Sequence, residues 1–254
     1  MLASYSDYLM TRTILLASSS PQRQRILEQI GLPFEVRPST FPEDLDKDSF
    51  HSPVDFVRET AKQKALNVAK SIKEEFALSF VSPPKIEGRD DGVERVVADC
   101  DPKLKLLPHL IIAADTVVVL DGEIIGKPKN QMDNINILEV VKKVNNLTML
   151  NGQRHTVFTG IALVLYDKQI RHPEKYDVKI MHDATEVRMA KLTSEMIEAY
   201  VNSGEPVNKA GGYAIQGMGS TFIERIDGDY FNVVGLPAYK LAEEIYMMCK
   251  NRML

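Results

Sequence analysis

The stretch Ile111–Asn130, IIAADTVVVLDGEIIGKPKN, decides the fold. Ile111-Ile112-Ala113-Ala114 is a short apolar run that reads as the inner part of a buried strand, and Val117-Val118-Val119-Leu120 resumes it. Asp121-Gly122 is a two-residue hairpin signal, with Glu123-Ile124-Ile125 pairing back. Gly126-Lys127-Pro128 ends the hairpin with a cation beside a rigid proline. Asp115 and Thr116 interrupt the apolar run. An ionised carboxylate there is costly unless a cation, a metal or a water-filled cleft compensates it. That makes Asp115 the first candidate for a functional residue; the alternative is a bulge from which it caps a neighbouring loop.

Upstream, residues 13–17 (TILLA) form another buried-strand run, ending in Ser18-Ser19-Ser20-Pro21. Ser20 suits a helix cap and Pro21 the first helical position, and the helix runs through QRQRILEQI to Gly31. A strand, a serine loop and a helix start together receive an anion through backbone N–H groups and the helix dipole. Arg23 adds a fork suited to phosphate oxygens. Residues 34–38 read as a strand, followed by an acidic loop, Glu43-Asp44-Leu45-Asp46, able to give an oxygen ligand to a hard cation. Ser52 and Pro53 then open a long helix whose inner stripe is Val54, Val57, Ala61, Ala65, Val68 and Ile72. By this spacing Glu59 and Lys64 are solvent-facing charges. Residues 79–108 mix Pro-Pro, Gly-Arg-Asp-Asp-Gly and scattered charge without periodicity, and are expected to be a mobile insertion.

Downstream, Ile135, Leu138, Val141, Val144 and Leu147 mark a helix, and Asn151-Gly152 turns the chain into a long strand over 154–165. Residues 167–182 look like a polar hairpin tip, 185–189 like a strand, and Thr193 caps a helix ending near Gly204. Lys209–Gly219, KAGGYAIQGMG, carries four glycines that let backbone approach a ligand closely. It is no dinucleotide fingerprint, and there is no Walker A sequence. A strand over 221–226, a turn at 227–229 and a final helix after Pro237 complete the chain.

Bulk composition narrows the function. With 31 basic and 35 acidic residues the formal charge is −4, which argues against a nucleic-acid-coating role. Cys100 and Cys249 have no zinc or disulfide spacing. No secretory signal opens the sequence and no apolar run is long enough for a membrane span, so the cytoplasm is the expected address. The 254 residues fit one large domain or two small lobes, and the mixing of strands with helices indicates an α/β or α+β fold with its site at strand ends. The five histidines are scattered, and no Ser-His-Asp set can be assembled. An anion-receptive helix start (Ser18, Arg23), a buried carboxylate (Asp115), a lysine (Lys127) and a glycine-rich wall are what attack by water on a phosphoanhydride requires. The same parts would also serve a nucleotide-binding module.

The blocks LLASSSPQRQRILEQIGLPFEVRPS, ETAKQKA, AADTVVVLDGEIIGKP, LNGQRHTVFTGIAL and GEPVNKAGGYAIQGMGSTFIERIDGDYFNVVGLP resemble, in order, those of the Maf family of nucleoside triphosphate pyrophosphatases. The resemblance covers nearly the whole chain except 79–108. It implies one Maf-like domain over 1–254 with that insertion. The fold it implies is α/β, akin to the inosine triphosphate pyrophosphatases: an elongated mixed sheet flanked by helices, with two lobes and a cleft. It further implies a divalent cation (Mg²⁺ or Mn²⁺), a commonly dimeric state and cleavage of a nucleoside triphosphate to the monophosphate and pyrophosphate.

Carried over by position, Ser18 and Arg23 match phosphate-binding residues, Glu43 an acid near the metal, and Lys64 and Lys127 phosphate-contacting lysines. The resemblance thus gives Lys64 a role that helical spacing does not. Asp115 matches the catalytic acid that activates water or holds the metal. Thr116 and Gln216 match positions separating the dTTP/UTP branch from the 7-methyl-GTP branch; a hydroxyl and an amide can pair with a pyrimidine edge. Two positions depart from the family. Gln22 replaces an arginine at a specificity position, and Asn208 replaces the aspartate before Lys209. A catalytically weak nucleotide-binding regulatory protein on the same fold is the alternative these departures raise.

Overall fold

The computed structural model describes residues 1–79, 107–125, 150–166, 172–207 and 209–254, with two further short strands at 85–87 and 95–97. The central strand β5 (Leu110–Leu120) runs unbroken. From Leu110 to Val119 it pairs antiparallel with β7 (Arg154–Tyr166) in a constant register, Asp115 opposite Gly160 and Thr116 opposite Thr159. Asp115 therefore lies on a regular strand and not at a bulge.

On its other edge β5 changes partner halfway. β1 (Ile14–Leu16) lies parallel to its start, Leu16 opposite Ile112, and β2 (Glu35–Val36) lies parallel to β1. β6 (Glu123–Ile125) folds back onto Val118–Leu120. The connecting Asp121 and Gly122 have φ of 50° and 86°, as a tight hairpin turn with two positive φ angles demands. Between Ile112 and Val118 no described strand pairs with this edge. Beyond β7, the strands β8 (Tyr176–Met189) and β9 (Ile223–Asp227) continue the sheet antiparallel. The result is a seven-stranded mixed sheet of order β2-β1-β5-β7-β8-β9, with β6 beside β5.

Helices cover both faces, which is why β5 and β7 read as apolar runs without alternation. A short first helix, α1, spans Ser6–Met10. Ile112, Ala114, Ile161 and Leu163 pack against Ile26 and Leu27 of α2 (Pro21–Gln29) and Leu241 and Ile245 of α6 (Ala238–Lys250). Ile111, Ala113, Ala162 and Val164 face the long α3 (Pro53–Ser79) through Ala61, Ala65 and Val68. Farther along the α2/α6 face a separate core joins Val118, Val157 and Val187 to Ile197 and Val201 of α4 (Ser194–Asn202). Between these two cores the sheet carries hydroxyls instead of methyls. Thr116 and Thr159 are hydrogen-bonded at 3.0 Å, and Thr159 donates to the Asn232 carbonyl at 3.1 Å. Asn232 in turn donates through Nδ2 to the Val157 carbonyl at 2.9 Å. This polar seam separates the two cores on that face.

Several boundaries differ from the sequence reading. β8 begins at Tyr176, inside the segment 167–182 expected as a hairpin tip. Its first half has exposed residues 177–179 and no apolar alternation, so backbone pairing with β7 builds it. A short helix, α5 (Tyr230–Val234), occupies a stretch given no element, with Asp229 Oδ1 accepting from the Phe231 amide at 2.8 Å as its cap. Ser20 stands at the start of α2, but its hydroxyl donates to Gln22 Oε1 at 3.3 Å and does not cap the helix. The helix over 135–147, Lys127 and most of the 79–108 insertion lie outside the described residues; within that insertion β3 (Lys85–Glu87) and β4 (Arg95–Val97) form an antiparallel pair. Among the described residues no helix is long and apolar enough to cross a membrane.

Gly160 sets how closely α3 approaches the sheet. A Cβ at this position would lie 2.6 Å from the Val57 carbonyl carbon and 2.9 Å from the Arg58 nitrogen. Gly160→Ala is therefore expected to destabilise the fold by about 3 kcal/mol, since the clash is with helix backbone that cannot rotate aside. Urea unfolding of the variant beside the parent measures it.

Candidate active site

The site opens where β1 and β5 part. Ala17 makes the last link, donating its N–H to the Ile112 carbonyl at 2.7 Å, and Ser18-Ser19-Ser20 then leave the sheet for α2. β5 continues alone on that edge, so Asp115 and Thr116 stand beside a gap. Two adjoining cavities, continuous with solvent, lie in it. Both are lined by Ser20, Gln22, Arg23, Glu43, Lys64 and Lys209. The first continues past Asp115 and Thr116 to Tyr213, Ile215 and Gln216; the second follows the serine loop from Ala17 to Pro21.

Asp115 faces α3, where Lys64 meets it. Lys64 Nζ lies 2.7 Å from Asp115 Oδ1 and 2.7 Å from Glu43 Oε1. Lys64 and Asp115 are only 6% and 7% exposed, so the expectation of a surface lysine from helical spacing fails. The helix positions it on the buried stripe, three residues after Ala61 and beside Ala65, where small side chains leave room for the long stem. Glu59 does stay near the surface, accepting from Lys62 Nζ at 3.0 Å and from Gln63 Nε2 at 2.6 Å.

Thr116 points to the opposite face. Arg23, in the first turn of α2, donates through Nη2 to Thr116 Oγ1 at 3.2 Å, through Nη1 to Ser18 Oγ at 3.1 Å and through Nε to the Gly235 carbonyl at 2.9 Å. One guanidinium thus ties the serine loop, β5 and the loop before α6 together. Burial pulls its pKa below the ordinary value, opposed by the charges of Asp115 and Glu43. Ser18 Oγ also accepts from the Ser20 amide at 3.2 Å. Gln216 is exposed on the cavity wall. The structure thus gathers Ser18, Gln22, Arg23, Glu43, Lys64, Asp115, Thr116 and Gln216 around one opening; Lys127 and Asn208 lie outside the described residues.

Two further groups escape the sequence reading. Lys209 lines both cavities, and burial draws its pKa down against the opposing charge of Glu205. Glu205 shapes the glycine-rich wall. Its carboxylate accepts from the Met218 amide at 2.8 Å, the Gly219 amide at 3.0 Å and the Tyr200 hydroxyl at 3.0 Å, and that hydroxyl accepts from the Ala214 amide at 2.9 Å. Burial raises the Glu205 pKa, but these amides and the hydroxyl outweigh it and hold the carboxyl below its usual range. The only hint in sequence is an acidic residue immediately before Pro206, in a segment otherwise short of charge.

Around the cavity the described cations are Arg23, Lys64 and Lys209, and the described anions are Glu43 and Asp115. A cavity lined this way, at parted strand ends and beside a helix start, belongs to a protein that handles phosphorylated small molecules. Residues 13–248 match the family model described as Maf-like protein, and the chain belongs to the Maf family. A protein of Bacillus cereus (strain AH820) named dTTP/UTP pyrophosphatase is 36% identical over 234 residues, covering 92% of this chain and 94% of that protein. The human "Probable bifunctional dTTP/UTP pyrophosphatase/methyltransferase protein" is 36% identical over 237 residues, 93% of this chain; the chain spans 32% of that relative's length. A solved structure of a HAM1 protein from Coxiella burnetii aligns with 72% of this chain at 15% identity and a TM-score of 0.36, too distant to add to the fold assignment.

His155, beneath the glycine-rich wall, yields a pH test. It is 2% exposed and its Nε2 lies 2.7 Å from the Tyr213 hydroxyl, while Nδ1 is buried without a partner among the described residues. Burial pulls its pKa down to about 4. An unfolded histidine titrates near roughly 6.5, so below that pH the unfolded chain binds a proton that the folded chain refuses. The stability is complete above the unfolded value and falls as pH drops from there towards 4, with about 2 kcal/mol lost at pH 5. His155→Gln is expected to flatten the unfolding free energy between pH 5 and 7, measured by denaturant titration at each pH.

Proposed function

We propose that the chain is a nucleoside triphosphate pyrophosphatase that hydrolyses dTTP, UTP or modified pyrimidine nucleotides to the monophosphate and pyrophosphate. The observation that carries this reading is Lys64 held between Asp115 and Glu43 beside the start of α2. The names of the relatives at 36% identity support the substrate class. The net charge of −4 favours free nucleotides over nucleic acid, and such substrates fit the cytoplasm.

In this reading the triphosphate lies along the serine loop. Backbone N–H groups at the start of α2 and the cations Arg23, Lys64 and Lys209 neutralise charge that builds up as the bond between the α- and β-phosphates breaks; Lys127 is proposed to join them. Lys64 bonds Asp115 at Oδ1, so Oδ2 is the oxygen proposed to orient the attacking water and take its proton. Arg23 is held rigid by its three internal partners and offers its remaining N–H groups to phosphate oxygens. Because Thr116 Oγ1 already bonds Arg23 and Thr159, Thr116 is proposed to act on specificity through Arg23, with Gln216 and Gln22 meeting the nucleoside.

A divalent cation suits this donor set. Two carboxylate oxygens converge on one point, and Mg²⁺ is ordinarily held by one or two carboxylates plus substrate phosphates. When bound by Glu43 and Asp115, such a cation would supply charge neutralisation for the leaving pyrophosphate.

Pyrophosphate release from a panel of nucleoside triphosphates with Mg²⁺ or Mn²⁺ tests the reading. Pyrimidine-preferring release is expected, with Asp115→Asn lowering kcat by about 10²–10⁴-fold while nucleotide affinity is largely kept. Comparable turnover in that variant removes Asp115 from the mechanism. Gln22, where the family pattern has an arginine, favours a second reading as a weak or inactive nucleotide binder. Binding without turnover, restored by Gln22→Arg, would establish it.

A further inference from the structure

Lys64 occupies the point on which the two proposed metal-holding carboxylates converge. Its Nζ is 2.7 Å from Asp115 Oδ1 and 2.7 Å from Glu43 Oε1. Among the described residues no group of three or more His, Cys, Asp or Glu side chains could hold a metal ion. The protein therefore offers a cation two carboxylates, both already neutralised by a buried ammonium. A divalent ion chelated by the same two oxygens would lie close against Nζ, and the like charges would repel in a place where burial limits screening. The partners differ in their freedom to respond. Asp115 is fixed by its short side chain on an internal strand, whereas Lys64 has a four-carbon stem. An entering triphosphate gives that ammonium other anionic oxygens to bond and supplies the ligands the protein lacks.

We infer that Lys64 keeps the metal position closed in the nucleotide-free protein, so that the divalent cation enters together with the triphosphate. The inference rests on the pyrophosphatase reading above and deepens it by fixing the order of assembly.

Mn²⁺ uptake by the nucleotide-free full chain, followed by loss of the free-ion electron paramagnetic resonance signal, tests it without turnover. Wild type is expected to bind Mn²⁺ at least about tenfold more weakly than Lys64→Met, and Asp115→Asn added to Lys64→Met is expected to abolish the gain. Equal affinity of wild type and Lys64→Met overturns the inference. If Lys64→Met does not fold, Lys64→Gln takes its place in the same comparison. One Mn²⁺ per chain taken up at micromolar metal without nucleotide overturns it; protein-bound Mn²⁺ that forms only when a non-hydrolysable UTP analogue is added supports it. Pyrophosphate release from UTP by the same wild-type preparation is read separately. Turnover combined with tight nucleotide-free Mn²⁺ binding would sink the role of Lys64 and leave the pyrophosphatase reading standing.

Discussion

A carboxylate in the middle of a buried strand needs a counter-charge, and in this fold the contact between Asp115 and Lys64 supplies it. Much of the local architecture serves that contact. α3 reaches the sheet because Gly160 has no Cβ to hold it off, and Ala61 and Ala65 leave space for the lysine stem. The edge of β5 is left open because β1 ends just before Asp115 and β6 begins just after it. Buried ion pairs are poor sources of stability, since desolvation offsets most of the attraction, yet losing either partner strands a charge. The pair is best understood as fixing where charge sits.

On the opposite face the constraint is hydrogen bonding. Arg23, Thr116, Thr159 and Asn232 form one continuous chain from the first turn of α2 to α5. Each group in it satisfies a neighbour that would otherwise be buried without a partner, the condition under which polar groups are tolerated in a core. The chain links the serine loop to the loop before α6, so the two ends of the cavity share one scaffold. Glu205 does comparable work in the glycine-rich wall by gathering two backbone amides and a tyrosine hydroxyl.

Local chemistry made part of this legible in advance. Asp121-Gly122 marked the hairpin because few other pairs accept two positive φ angles, and Pro21 and Pro53 marked helix starts for want of an N–H. Asp115 stood out because its surroundings in sequence were apolar. Lys64 did not, because a lysine at three-to-four spacing is ordinarily solvated, and only its place among alanines hints otherwise. The first half of β8 was hidden because its side chains do not alternate; its strand state comes from the partner strand. Thr159, Asn232, Glu205 and Gly160 were invisible for a common reason. Their importance lies in contacts between residues far apart in the chain, which no single segment records.

The regular pairing of β5 with β7 passes from one core to the other without a bulge. A pair of strands bonded in this way behaves as a stiff plate, and it spans the base of the cleft. The two cores are therefore joined through continuous sheet. The serine loop and the glycine-rich wall rim the opening above this plate.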